Sequence, residues 1–215
     1  MNVLKRILKG FDRAAFIKSV ACALVLLCTL SICGFDAKCN VIRNNVLRLH
    51  ILANSDSNED QALKLKVRDA VLLVSEEVFK DCRSEQEAVS AAKGNINLFL
   101  KAAQDEIKNN GYAYSVLVEV KDTWFETRDY DSFSLPAGTY EALRIVIGNG
   151  EGKNWWCVMF PSLCLPTTNV ESEDFKETLG DDEGDIVAQP QKYKARFKIV
   201  EIFERARLKI SGLFK

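Results

Sequence analysis

His50 is the only imidazole in the chain, so histidine-assisted hydrolysis or thiol chemistry would have to run through it, with Cys157 or a serine as nucleophile. Its setting argues for structure instead. A lone histidine on the polar side of an alternating run is more often a packing residue than a base. The run Gly148-Asn149-Gly150-Glu151-Gly152-Lys153 looks superficially like a phosphate loop. It lacks the spacing and the Ser or Thr after the lysine, and it leads into a strand-like segment where a phosphate loop opens a helix. With one histidine and no C-x-x-C pair, no metal site and no cofactor are expected. The pattern fixes no two carboxylates on facing elements of a cleft. Nothing in this inventory demands an enzyme.

The residues around Cys157 form the most informative stretch, YEALRIVIGNGEGKNWWCVMFPSLC from Tyr140 to Cys164. Leu143, Ile145 and Ile147 alternate with Ala142, Arg144 and Val146, and the run from Trp155 to Phe160 is aromatic and β-branched, so both suit strands. The glycine-rich link between them predicts a hairpin turn. On a strand, Trp155 and Trp156 point to opposite faces. Outside the amino-terminal apolar run the cysteines are Cys39, Cys82, Cys157 and Cys164, which allow three pairings. A turn at Pro161 would bring Cys157 and Cys164 together, whereas continued strand would hold them apart, so that disulfide is possible but not fixed by the sequence.

The elements that position these residues follow from periodicity. Leu47, Leu49 and Ile51 alternate with Arg48 and His50, which predicts a half-buried strand over residues 46–52. Asn54 to Asn58 halts it with turn-closing and capping residues, and a helix follows to about Lys80 with Leu63, Val67, Ala70, Val71, Val74 and Val78 on one side. Ser84 and Glu87 have capping-box spacing and open a second helix through Val89, Ala92, Ile96, Phe99, Ala103 and Ile107, ended by Asn109-Asn110-Gly111. Tyr112 to Val120 alternates as a strand. The order predicts an α+β fold: two consecutive helices packed on a mostly antiparallel sheet.

The ends of the chain differ in composition. Lys5, Arg6, Lys9, Arg13 and Lys18 stand against Asp12 before an uncharged apolar run over residues 19–35. At about 1.5 Å per residue that run just reaches the lower limit for a membrane span, which leaves an uncleaved anchor and a cleaved signal both open. Either way the basic segment 1–18 stays cytoplasmic and the rest is exported. Residues 41–168 read as the exported domain. Residues 169–190 read as an acidic linker, and 191–215 as a basic amphipathic helix with Phe197, Val200, Phe203 and Ile210 on its apolar side. Such a helix suits an anionic membrane, a partner's groove or its own domain. A charged fraction of 27% at net charge −1 argues against nucleic-acid binding.

Three blocks together resemble the stage II sporulation protein R family. They are Arg48 to Ser57 with Asp60-Gln61 and Arg68-Asp69-Ala70-Val71, then Leu135 to Ala142, and Gly148 to Cys164 with its Asn154-Trp155-Trp156-Cys157 centre. The resemblance implies a protein exported from the forespore, tethered or secreted, into the space between forespore and mother-cell membranes. There it would bind and activate a membrane-embedded aspartic protease and so trigger processing of the sigma-E precursor, without catalysing anything itself. Arg48, His50, Asn54, Asp56, Glu141, Arg144, Asn154, Trp155 and Trp156 are then the expected contact or contact-supporting residues. Two other classes stay open: an exported thiol or hydrolytic enzyme using Cys157 and His50, and an envelope-polymer-binding module. The sequence leaves the oligomeric state open.

Overall fold

The computed structural model of the 215-residue chain describes residues 13–130, 132–161, 176 and 178–213. It divides into two compact units, Met1–Lys38 and Cys39–Lys215. The first unit is carried by α1 (Arg13–Arg43), a 31-residue helix long and apolar enough to cross a membrane, with a mean hydropathy of 2.2 over its best window. The predicted apolar run 19–35 lies inside it. The last turns of α1, from Cys39 onward, belong to the second unit, where Cys39 and Ile42 are fully buried.

The second unit is a mixed α and β fold. After β1 (Leu47–Leu52), Ser57 accepts a hydrogen bond from the Asp60 N–H at 3.2 Å and opens α2 (Asn58–Phe79). Ser84 caps α3 (Glu85–Gly94) in the same way at 3.2 Å, and the Glu87 carboxylate returns to accept from the Arg83 N–H at 2.8 Å. The predicted second helix is broken at Asn95, so that α4 (Ile96–Asn109) is a separate element. Gly94 and Asn95 together are poor helix formers, and the chain turns there. The Gly111 backbone, at φ 82, closes α4.

The sheet has the order β2-β5-β1-β6, where β2 is Val116–Phe125, β5 is Gly138–Ile147 and β6 is Asn154–Phe160. β2 and β6 run antiparallel to their neighbours, while β1 and β5 are parallel, with Leu49 beside Leu143. Two short strands, β3 (Arg128–Asp129) and β4 (Ser134–Leu135), pair separately. The helices α2, α3 and α4 bury Leu63, Val67, Val71, Ala92, Phe99, Ala103 and Ile107 against Leu47, Leu49, Ile51, Leu143, Ile145, Ile147 and Met159.

Four expectations are corrected here. The two runs of the Tyr140 to Cys164 stretch are not a hairpin, because β1 lies between β5 and β6. Their link instead straddles the end of β1: Gly152 N–H donates to Ala53 O at 3.0 Å and Glu151 N–H to Asn54 O at 3.2 Å. β1 is not half-buried, since Arg48 is 0% exposed and His50 9%; a central strand has no solvent face once both sides are covered. The strand expected over 112–120 begins at Val116, where pairing with Ile147 starts, and continues to Phe125. Residues 181–188 of the expected linker form α5 (Asp181–Ala188), with Ile186 and Val187 buried, followed by α6 (Pro190–Leu213). Acid-rich composition hid Ile186-Val187, a single apolar pair sufficient to dock one short helix.

Candidate functional site

The sheet face opposite α2 and α4 gathers five of the expected residues: Arg48, His50, Arg144, Asn154 and Trp156. Alternation along β1, β5 and β6 puts them together, since His50 stands beside Trp156 in the register and one step from Asn154. The Arg48 guanidinium lies 3.9 Å from the Phe125 ring centroid and 5.0 Å from that of Tyr140, and its Nη2 donates to Tyr130 Oη at 2.7 Å. Its Nε and Nη1 have no partner, and among the described residues no carboxylate pairs with it. Aromatic faces thus replace a counter-ion, a contact worth about 2 kcal/mol when desolvated. That is less than burying a cation ordinarily costs.

His50 sits edge-on between Phe125 and Trp156, with ring centroids 5.9 and 6.3 Å away. Its Nε2 lies 2.8 Å from Asn154 Oδ1. With the carbonyl oxygen as acceptor, Nε2 carries the proton, and Nδ1 is left as an unpartnered acceptor. Burial lowers its pKa, Arg144, Arg48 and Lys121 lower it further, and the Asn154 hydrogen bond opposes them. The ring is therefore held neutral.

Cys157 is in register with Leu49, not His50, so it projects to the helix-covered face. It is disulfide-bonded. Cys164, the partner considered from the sequence, lies outside the described residues. Among the described cysteines, Cys22, Cys28, Cys33 and Cys82 are free thiols. A Cys157 thiolate assisted by His50 is therefore not assembled. Trp155 also points to the helix face, where the Arg68 guanidinium stands 4.5 Å from its ring, whereas Arg128 lies 5.6 Å from Trp156. The indole N–H groups of both tryptophans are buried and unpartnered.

Asn54 and Asp56 act on the backbone of a neighbouring link. Asn54 Oδ1 accepts from the Asn149 N–H at 3.0 Å, and Asp56 Oδ1 from the Lys153 N–H at 2.7 Å, so both fasten the β5–β6 link to the loop after β1. Asn54 also donates to Asp60 at 2.9 Å. Burial pushes the Asp60 carboxyl up, but hydrogen bonds from Ser55, Asn54 and Tyr114 outweigh it and hold the pKa low. Gly148 has φ 57, and a Cβ there would collide with Asn54 Oδ1, so the link's composition is set by this close approach.

Arg144 stands beside His50 in the β1–β5 register, on the same face, whereas Glu141 lies on the helix-covered side. Arg144 Nη1 pairs with Glu119 at 2.9 Å across β2 and β5, and Lys121 adds a second bridge at 2.7 Å. Glu141 pairs with Lys93 of α3 at 3.0 Å. Beside it stands Glu85, 7% exposed, whose pKa burial pushes up to about 7, with the Glu141 charge adding to the rise. This carboxyl pair was not visible in the sequence, because Glu85 reads as an ordinary first-turn acid. Phe125, Tyr130 and Tyr140 were missed as well. Tyr140 had a signal, its place in the Leu135 to Ala142 block: its hydroxyl, raised in pKa by burial, donates to Pro136 O at 2.6 Å, and Arg43 Nη1 donates to Ala137 O at 2.7 Å.

Of the expected tail residues, Phe197 and Val200 are buried in the second unit, while Phe203 and Ile210 are 43% and 56% exposed. A cavity of about 610 Å³ lies between the Thr127–Asp129 segment and α6, lined by Phe197, Lys198 and Glu201 among others.

A family model described as stage II sporulation protein R matches residues 43–170. The stage II sporulation protein R of Bacillus subtilis (strain 168) is 41% identical over 125 residues, which cover 58% of this chain and 56% of that protein. The chain thus spans little more than half the length of this relative. No solved structure matches.

Proposed function

Since the chain belongs to the stage II sporulation protein R family, a family of sporulation proteins, we propose that it is an exported signal of endospore formation. It binds and activates a membrane-embedded aspartic protease, and that protease processes the sigma-E precursor. The observation that carries this reading is the family match over residues 43–170, which falls on a folded unit beginning at Cys39. Within the matched residues, Asn154 and the half-buried Trp156 reach the surface and are of the kind that anchor interfaces, while the buried Arg48 and His50 hold them in place from beneath. The apolar α1 suits delivery to, or retention at, the forespore membrane, with the amino terminus cytoplasmic and the second unit in the intermembrane space. Signalling by binding needs no nucleophile, and the separation of Cys157 from His50 favours it over a thiol enzyme.

The test is co-expression of the chain with the protease and the sigma-E precursor in a cell that contains none of them. Processing should appear only when the chain is present and should survive Cys157→Ser in any variant that remains folded. Processing that proceeds equally without the chain refutes the reading. Loss of activation in a folded, exported Cys157→Ser or His50→Ala variant that still binds the protease refutes its non-catalytic part.

A further inference from the structure

The outward side of α6 carries an apolar stripe different from the one its spacing suggested. Ile199, Ile202, Phe203 and Ile210 are 45%, 61%, 43% and 56% exposed. At about 100° per residue they fall, with the exposed Ala206, within an arc of roughly 100°. Phe197 and Val200 lie on the other side of the helix and are buried, so docking on the domain does not consume the stripe. Basic residues border it on both flanks, with Lys198, Arg205 and Lys209 on one and Arg196 and Arg207 on the other. The acids turn away: Glu201 and Glu204 are buried at 6% and 7% exposure on the docked side. There they pair with Arg205 at 2.9 Å and Arg207 at 3.3 Å. Residues 191–210 hold seven Lys or Arg against these two acids.

An apolar stripe between two cationic borders matches the boundary of an anionic bilayer, where acyl chains take the stripe and headgroups take the borders. We propose that α6 is an interfacial helix which lays the Ile199 to Ile210 stripe on an anionic lipid surface while Phe197 and Val200 keep it docked. A bilayer is the favoured occupant because the same chain carries a helix apolar enough to enter one, and tethering raises the effective concentration of any weak second contact. The proposal is independent of the family assignment, since α6 lies beyond the matched residues.

Hydrogen exchange of the full chain in nanodiscs tests it, with α1 inserted in discs of phosphatidylcholine alone or of phosphatidylcholine with phosphatidylglycerol. Amides over 199–210 should exchange about tenfold more slowly in the anionic discs, and the difference should shrink in roughly 0.5 M salt as screening sets in. Ile202→Ser with Phe203→Ser should abolish the difference, and Arg207→Gln with Lys209→Gln should remove the preference for the anionic lipid. The idea is overturned by equal exchange in the two lipids or by protection that persists in both variants. Protection that follows protein concentration whatever the lipid also overturns it and assigns the stripe to a second copy of the chain.

Discussion

Replacing Glu85 by Gln should flatten the stability of the second unit against pH. Glu85 is 7% exposed and faces Glu141 of β5, which is itself bridged to Lys93 of α3 at 3.0 Å. Burial comes first and the neighbouring carboxylate second in raising its pKa from 4.5 to about 7. A raised folded-state pKa means that protonation favours the fold: the benefit is complete below the unfolded value and is lost as pH rises through the folded one. At about 1.36 kcal/mol per unit, the shift corresponds to roughly 3 kcal/mol across the whole window. Between pH 6 and pH 8 the loss should be about 1.3 kcal/mol, because the unfolded chain is ionised throughout while the folded one is still releasing its proton. Glu85→Gln keeps a donor for Glu141 and has no proton to lose. Urea unfolding of the detergent-solubilised chain, followed by tryptophan fluorescence, would report on the sheet, where Trp124, Trp155 and Trp156 all reside. Wild type should lose about 1 kcal/mol more than the variant over this range. Parallel profiles for the two proteins would refute the assignment of a neutral Glu85.

Four further outcomes are expected. Arg48→Met should fold with unchanged or slightly higher stability, while Arg48→Ala should lose about 3 kcal/mol through the cavity it leaves; a Met variant as damaged as Ala in urea unfolding would show that the guanidinium is fully compensated. Gly148→Ala should cost about 2 kcal/mol or more, read as a lower urea midpoint at unchanged slope, because its φ and its contact with Asn54 both exclude a Cβ. Phe197→Ser should destabilise the unit by about 3 kcal/mol, whereas Phe203→Ser should stay within about 0.5 kcal/mol, a contrast that thermal melting would reveal. Alkaline phosphatase fused after Leu165 should be active in an export-competent cell, and an active cytoplasmic reporter at the same joint would contradict the topology.

Local structure was more legible in the sequence than neighbour relations. The alternation of Leu47, Leu49 and Ile51, the caps at Ser57 and Ser84, and the opposed Trp155 and Trp156 are properties of a few adjacent residues, and each is found in the fold. The hairpin reading failed because glycine-rich composition reports a bend without reporting what the bend encloses. Asn54 and Asp56, nearly a hundred residues upstream, supply that information through their hydrogen bonds to Asn149 and Lys153. The burial of Arg48 was hidden for a related reason: the aromatic rings that accept it come from β2, β5 and the segment after β3. In α6 two apolar sides interleave, one through Phe197 and Val200 and one through Ile199, Ile202 and Phe203, so spacing alone could not tell the docked side from the exposed one. Glu85 and Glu141 meet only because α3 crosses β5.

The central place of β1 imposes an order of events on a chain made from its amino end. Among the described strands β1 comes first in the chain, yet its parallel neighbour β5 and its antiparallel neighbour β6 come last. Until Phe160 has emerged, both hydrogen-bonding edges of Leu47–Leu52 cannot be filled by their native partners, and a naked apolar strand is a template for wrong pairing. The helices α2 to α4 can form locally in the meantime, but they have no finished sheet to rest on. A growing chain therefore stays exposed to capture and proteolysis for most of this stretch, and the second unit can close only when β6 arrives. Truncation before Asn154 should leave β1 without its β6 edge and yield no stably folded second unit.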